Sequence, residues 1–228
     1  MEVEQRPGFF RIDDPLLRPL CQMAMAWIST IGEDLNGALR EASASLGELR
    51  GQDEPVWTTS AGLTLGSIET TLGRYDDALG HLTEARELAE RFGNAWLAAL
   101  SRVFLATQAL VRGRQEEARP LLEEALGQSL AAHSTRSVTL CLAAFARWAL
   151  VAGDPERAAL VAGAAEGLRR RVGLRAWPIL RPGEAELVAQ ARRALGADRF
   201  DQAFAAGARL TQQEAVAAAG DRHSASAR

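Results

Sequence analysis

Apolar positions recur at helical spacing along almost the whole chain, and no segment alternates as a strand does. The clearest stretch is Gly73-Arg74-Tyr75-Asp76-Asp77-Ala78-Leu79, a turn followed by the opening of a helix. It recurs. Gly113-Arg114-Gln115-Glu116-Glu117-Ala118 lies 40 residues on, and Gly153-Asp154-Pro155-Glu156-Arg157-Ala158 another 40. Ala38, after Gly32, holds the same place 40 residues upstream. One helical hairpin cannot bury its own apolar face, so a fixed period of this size predicts stacked units, an all-α solenoid.

The pattern predicts four hairpins over residues 14–173. Asp14-Pro15 supplies a capping side chain and then a proline for the first helical position, so the first helix is expected over 14–31. Its partner is expected over 34–49, with Ala38, Leu39, Ala42 and Leu46 on one stripe. The later hairpins are expected over 55–92, 94–130 and 134–172, turning at Gly73, Gly113 and Gly153. Residues 1–13 read as an arm whose Phe9, Phe10 and Ile12 want cover. Residues 174–219 read as a helical cap: a linker, a helix ended by Gly196, a short helix over 199–206, and a last helix opened by the capping box Thr211-Gln212-Gln213-Glu214. Residues 220–228 are expected to be disordered.

The columns of the repeat sharpen this reading. Twelve residues before the four alanines stand Ala26, Gly66, Ala106 and Ala146, all small. Just before these come Met25, Leu65, Leu105 and Phe145, all large and apolar. Seven residues after the alanines come Ser45, Ala85, Ala125 and Ala165. Small residues let helices approach, and a large neighbour fills the space beside them. This pattern resembles the tetratricopeptide repeat (TPR), in a version with longer helices than that family's usual period of about 34 residues. The resemblance covers about residues 15–173 and implies a right-handed stack.

A second resemblance lies in the closing third. Gly153 to Ala159, Gly163-Ala164-Ala165-Glu166-Gly167-Leu168-Arg169, Ala194-Leu195-Gly196, Phe200, Phe204, Gly207, Arg209-Leu210-Thr211 and Glu214-Ala215-Val216 carry it. They are similar to the end segment of large ATP-dependent regulators of high-GC bacteria, the LuxR-, AfsR- and MalT-like signalling ATPases. The resemblance implies a non-enzymatic binding and regulatory array of a transcriptional regulator, without the front ATPase or a terminal helix-turn-helix. A stand-alone adaptor for protein assembly is the alternative.

Composition narrows the chemistry. The chain has 228 residues and a net charge of −3, which draws it toward neither nucleic acid nor an acidic membrane surface. All 26 basic residues are Arg, so no lysine chemistry is available. Cys21 and Cys141 hold equivalent places three periods apart and read as small buried residues of a reducing, cytoplasmic protein. Apolar runs are too short for a membrane span. His81, His133 and His223 are isolated, and no phosphate loop, nucleophile elbow or metal-spaced cluster appears, so no enzyme activity, cofactor or metal is expected. The acidic pairs Asp76-Asp77 and Glu116-Glu117 suit helix starts, and Arg169-Arg170-Arg171 reads as a solvated helix end. The five Trp read as core.

One face remains for function. The TPR resemblance implies a concave groove lined by the first helix of each hairpin. Its columns place Met23, Trp27, Leu63, Ser67, Thr70, Val103, Thr107, Leu110, Ala143 and Arg147 there. This face suits a protein or peptide partner, or a small-molecule effector. The alternative is that the C-terminal helices or the N-terminal arm cover it. Homo-oligomer formation is left open.

Overall fold

A computed structural model describes residues 15–177 and 180–220; the expected arm and most of the expected tail lie outside them. Among the described residues there are eleven helices and no strand. They are α1 (Leu17–Ile31), α2 (Leu35–Leu49), α3 (Pro55–Thr71), α4 (Tyr75–Arg91), α5 (Ala95–Val111), α6 (Gln115–Ala131), α7 (Thr135–Val151), α8 (Pro155–Arg171), α9 (Arg181–Leu195), α10 (Ala197–Arg209) and α11 (Gln212–Gly220).

From α3 to α8 the helices start 20 residues apart, because every joint is built alike. A left-handed residue sits at Gly73, Gly93, Gly113, His133, Gly153 and Gly173, and upstream at Glu33. The next residue donates its N–H five residues back: Arg74 to Glu69, Asn94 to Ala89, Asp154 to Ala149, at 2.8–2.9 Å. This closes the helix with a Schellman motif. At four joints the same residue then caps the following helix; Arg74 and Arg114 make no such side-chain bond. Asp34, Asn94, Ser134 and Asp154 each accept a hydrogen bond from the backbone N–H three residues on. The first turn uses Glu33, not Gly32, as its left-handed residue; Gly32 itself keeps φ −82°.

In the two middle hairpins the helices differ in burial: α3 buries eleven of its seventeen residues and α4 four, α5 twelve and α6 five, which makes the odd helices the inner layer there. Consecutive helices pack from α1 through α8, and each odd helix also packs on the next odd one; α2, α4, α6 and α8 have no comparable contact with each other. The small columns sit at the touching points. Ala26, Ala106, Ala146, Ala38, Ala78, Ala118 and Ala158 are fully buried. Gly66 lies so close to Leu82 that an added Cβ would stand 2.6 Å from its Cγ. Side chains repeat their bonds as well: Gln108 Nε2 donates to the Tyr75 carbonyl, and Trp148 Nε1, 40 residues on, donates to the Gln115 carbonyl.

The array's two ends differ. At the C-terminal end α10 lies against α8 with glycine on both sides. A Cβ on Gly207 would stand 1.9 Å from the Leu160 carbonyl oxygen, and one on Gly163 would stand 2.1 Å from that of Phe204. α10 is longer than the expected 199–206, because Gly196, at φ 82°, both ends α9 and opens the next helix. The Thr211–Glu214 capping box forms reciprocally, and Gly220, placed in the expected tail, ends α11.

At the N-terminal end α1 begins at Leu17 rather than Pro15; Pro15 and Leu16 form a turn, and Leu20 donates to the Leu16 carbonyl. Cys21 and Met25 are exposed, against the expectation of burial. Their repeat equivalents Ala61, Cys141, Leu65 and Phe145 are buried at 3% exposure or less, each under the preceding hairpin. No hairpin covers that side of α1 among the described residues. Trp27 and Trp57 are likewise exposed, not core.

Candidate functional site

The inner face of the odd helices, with the starts of α2, α4 and α9, lines an open-sided cavity of about 630 Å³. That volume lies in the range of small-molecule sites. Six of the ten expected groove residues line it: Ser67, Thr70, Val103, Thr107, Ala143 and Arg147. Met23, Leu63 and Leu110 are instead buried between helices, at 3–5% exposure. Trp27 lies outside the cavity, and its indole N–H donates to Thr64 Oγ1 at 3.1 Å.

The reason is a drift of the lining along the array. α1 contributes its end, through Thr30; α3 its last turns, through Ser67, Thr70 and Thr71. α5 contributes Val103 to Val111, and α7 the earlier stretch Leu140 to Arg147. The lining therefore moves toward the N-terminal end of each successive odd helix, and a fixed column enters and leaves it. The apolar walls Phe104 and Leu140, and all of α9's share, were not singled out in the sequence. Pro182, Gly183, Glu184 and Leu187 form that share, with Leu180 just before the helix, so a C-terminal helix covers part of the groove.

The polar lining is unequal in what it offers. Every lining serine or threonine hydroxyl donates to a carbonyl of its own helix: Thr30 to Ala26, Ser67 to Thr64, Thr70 to Gly66, Thr71 to Ser67, Thr107 to Val103, at 2.7–3.0 Å. Their lone pairs are what remain for a ligand. Arg147 is the cation. Its Nη2 donates to the Gly183 carbonyl at 2.6 Å. Burial pulls its guanidinium below its ordinary value, while the carboxylates of Glu184 and Glu186 act the other way. Glu184 is itself engaged: both its oxygens accept from Arg169, at 2.7 and 2.8 Å.

The arginine run at the end of α8 is thus a solvated helix end only in part. Arg169 is 3% exposed and paired to α9. Arg171 donates to the carbonyls of Ala208 and Leu210, satisfying the open end of α10. Arg170 and Arg171 are exposed. Arg157 does for α11 what Arg171 does for α10, donating to Ala218 and Ala219. Helix ends that need donors gave no sequence signal of which arginine would come.

Of the histidines, His81 stands with Nδ1 2.8 Å from Oε2 of the buried Glu69, away from the cavity. His133 occupies a joint, and His223 lies outside the described residues. Among the described residues no group of three or more His, Cys, Asp or Glu gathers as a metal site, and no helix is long and apolar enough to cross a membrane. No protein-family model and no curated protein matches the chain.

Proposed function

We propose that this chain is a non-enzymatic binding and regulatory array, a right-handed TPR-like solenoid that serves a bacterial signalling-ATPase-type transcriptional regulator in the cytoplasm. The observation that carries the binding reading is the cavity on the inner helix face, walled by four odd helices and α9. Its lining is apolar surface, hydroxyl lone pairs and a guanidinium, groups that hold a ligand in place. Binding there would bias α9 between docked and released positions, which is the form a regulatory signal takes. The regulator reading is supported by the closing segment. Three of the glycines that carry the resemblance, Gly163, Gly167 and Gly207, are where α8 and α10 touch, so the segment acts as one packed unit.

Native mass spectrometry of freshly purified protein tests the binding reading. The expected result is a retained adduct in the wild type that is absent from Thr107→Trp, which fills the cavity. A bare mass for both proteins counts against the reading. An in-frame nucleotide-binding segment upstream supports the regulator placement, and an unrelated upstream gene counts against it.

The exposed side of α1 favours a second reading, an assembly adaptor. Cys21, Met25 and Ile28 form one stripe on that side, and Ile28 is 59% exposed whereas its equivalent Ile68 is fully buried. A stripe that is covered in later hairpins suits association through α1. Sedimentation equilibrium separates the two readings: self-association lost in Met25→Glu supports the adaptor, and a monomer at all concentrations removes it.

A further inference from the structure

The binding reading above leaves the ligand's chemistry open, and the cavity's donor and acceptor inventory narrows it. We infer that the ligand is a small amphipathic carboxylate, its acid group on Arg147 and its apolar body, bearing hydroxyl or amide N–H donors, along α5 and α3.

Among the described residues, Arg147 keeps all but one of its guanidinium N–H directions free, because Gly183 takes only Nη2. It is half-buried beside Val103-, Leu140- and Leu187-type apolar walls, where a free cation is held at a cost in lost hydration. Of the two carboxylates that support it from α9, Glu184 is spent on Arg169, and Glu186 accepts from Gln190 and Arg193. An incoming anion relieves that cost. A planar guanidinium fork suits a carboxylate, which it can grip with parallel hydrogen bonds. A dianionic phosphate fits less well: it would meet one arginine, with the carboxylates of Glu184 and Glu186 close behind.

The hydroxyls decide the body. All five have given their hydrogens to their own helices, so they accept and do not donate. A ligand body gains by bringing donors to them. An extended peptide brings as many carbonyls as N–H groups, and apart from Arg147 and the Tyr75 phenol the lining has no side-chain donor left for those carbonyls. Carbonyls left unpaired against the cavity's apolar wall are costly. The inventory therefore favours a small acid over a peptide.

Isothermal titration with decanoate and decanol as probes tests the inference. Decanoate should bind the wild type at least about tenfold tighter than decanol, the margin of one charge-assisted contact. Arg147→Met should bring the two affinities within about twofold of each other. Ala143→Trp, which fills the cavity and leaves Arg147 in place, should bind neither. Equal binding of both probes to the wild type, lost in Ala143→Trp, overturns the carboxylate preference while the binding reading stands. Decanoate binding that survives Ala143→Trp overturns the site, and no binding of either probe to the wild type overturns both readings. Tighter binding of an uncharged-terminus hexapeptide than of decanoate overturns the small-acid class in favour of a peptide.

Discussion

Arg169 and Glu184 face each other across the joint between α8 and α9 in a two-pronged ion pair, with N–O distances of 2.7 and 2.8 Å. Arg169 is buried, and Glu184 keeps 28% of its side chain exposed. The pair pins α9 over the cavity and engages both oxygens of the Glu184 carboxylate, whose charge still acts on Arg147.

Removing one partner should unsettle α9. Glu184→Gln leaves the buried guanidinium with only the Glu166 carboxylate, 3.8 Å away, as counter-charge and should cost about 2 kcal/mol, below the full penalty of a wholly buried pair because Glu184 touches solvent. Arg170→Gln, on the exposed neighbour, should stay within about 0.5 kcal/mol. Urea unfolding of both variants checks the contrast, and hydrogen exchange in α9 should rise only in the first.

The same glycine-to-alanine change should have opposite signs at two helix positions. Gly207 is fixed against the backbone of α8, which cannot move aside, so Gly207→Ala should cost about 1–3 kcal/mol or undock α10. Gly127, within α6, has nothing within 4 Å of its would-be Cβ. Gly127→Ala should stabilise by about 0.5–1 kcal/mol through helix propensity alone. Thermal melts side by side decide it.

Two joints carry a side chain where the others carry glycine. Glu33 has φ 63° and His133 φ 49°, in the left-handed region. Glu33→Gly and His133→Gly should each raise stability by about 1 kcal/mol, because the strain of a Cβ there exceeds the entropy lost by glycine. Chemical denaturation midpoints that fall in both variants would show that these side chains make contacts worth more than the strain.

The two cysteines should behave as different reagents. Cys21 is exposed, and Cys141 is fully buried with its thiol pushed up to about 11, chiefly by burial, with the Ser129 hydrogen bond opposing. A thiol-reactive dye should label one site in the native protein and two in denaturant. The folded state holds the Cys141 proton more tightly than the unfolded one, so stability should fall as pH rises from about 9 to 11. The loss is about 2–3 kcal/mol. Cys141→Ala should show a correspondingly shallower alkaline decline in urea midpoint.

The helices were legible because the signals that place them are local. The alanines at 38, 78, 118 and 158 mark α2, α4, α6 and α8, Gly196 marks one joint, and Thr211 with Glu214 marks the start of α11. The cavity was legible by half. Ser67, Thr107 and Arg147 share a column and line it, but Leu63 and Leu110 belong to columns that pass into the core as the lining drifts. Glu184 and Leu187 could not be assigned, since nothing near them in sequence says that α9 folds over α7. Nor could Cys21 be told from Cys141. Their neighbourhoods read alike, and only the packing of a preceding hairpin makes one of them core.

The joint that recurs every 20 residues constrains how this chain can change its length. One residue added within a helix rotates all that follows in it by about 100°, which turns the alanine column away from its partner. Twenty residues added restore the joint, but they hand an outer-layer helix the inner place and strand its acidic face, such as that of Glu123 and Glu124, against the core. Only a whole period of 40 keeps both the joints and the layers in phase. Viable insertions and deletions in this array should therefore come as complete hairpins, a length grammar set by backbone geometry and independent of what the cavity binds.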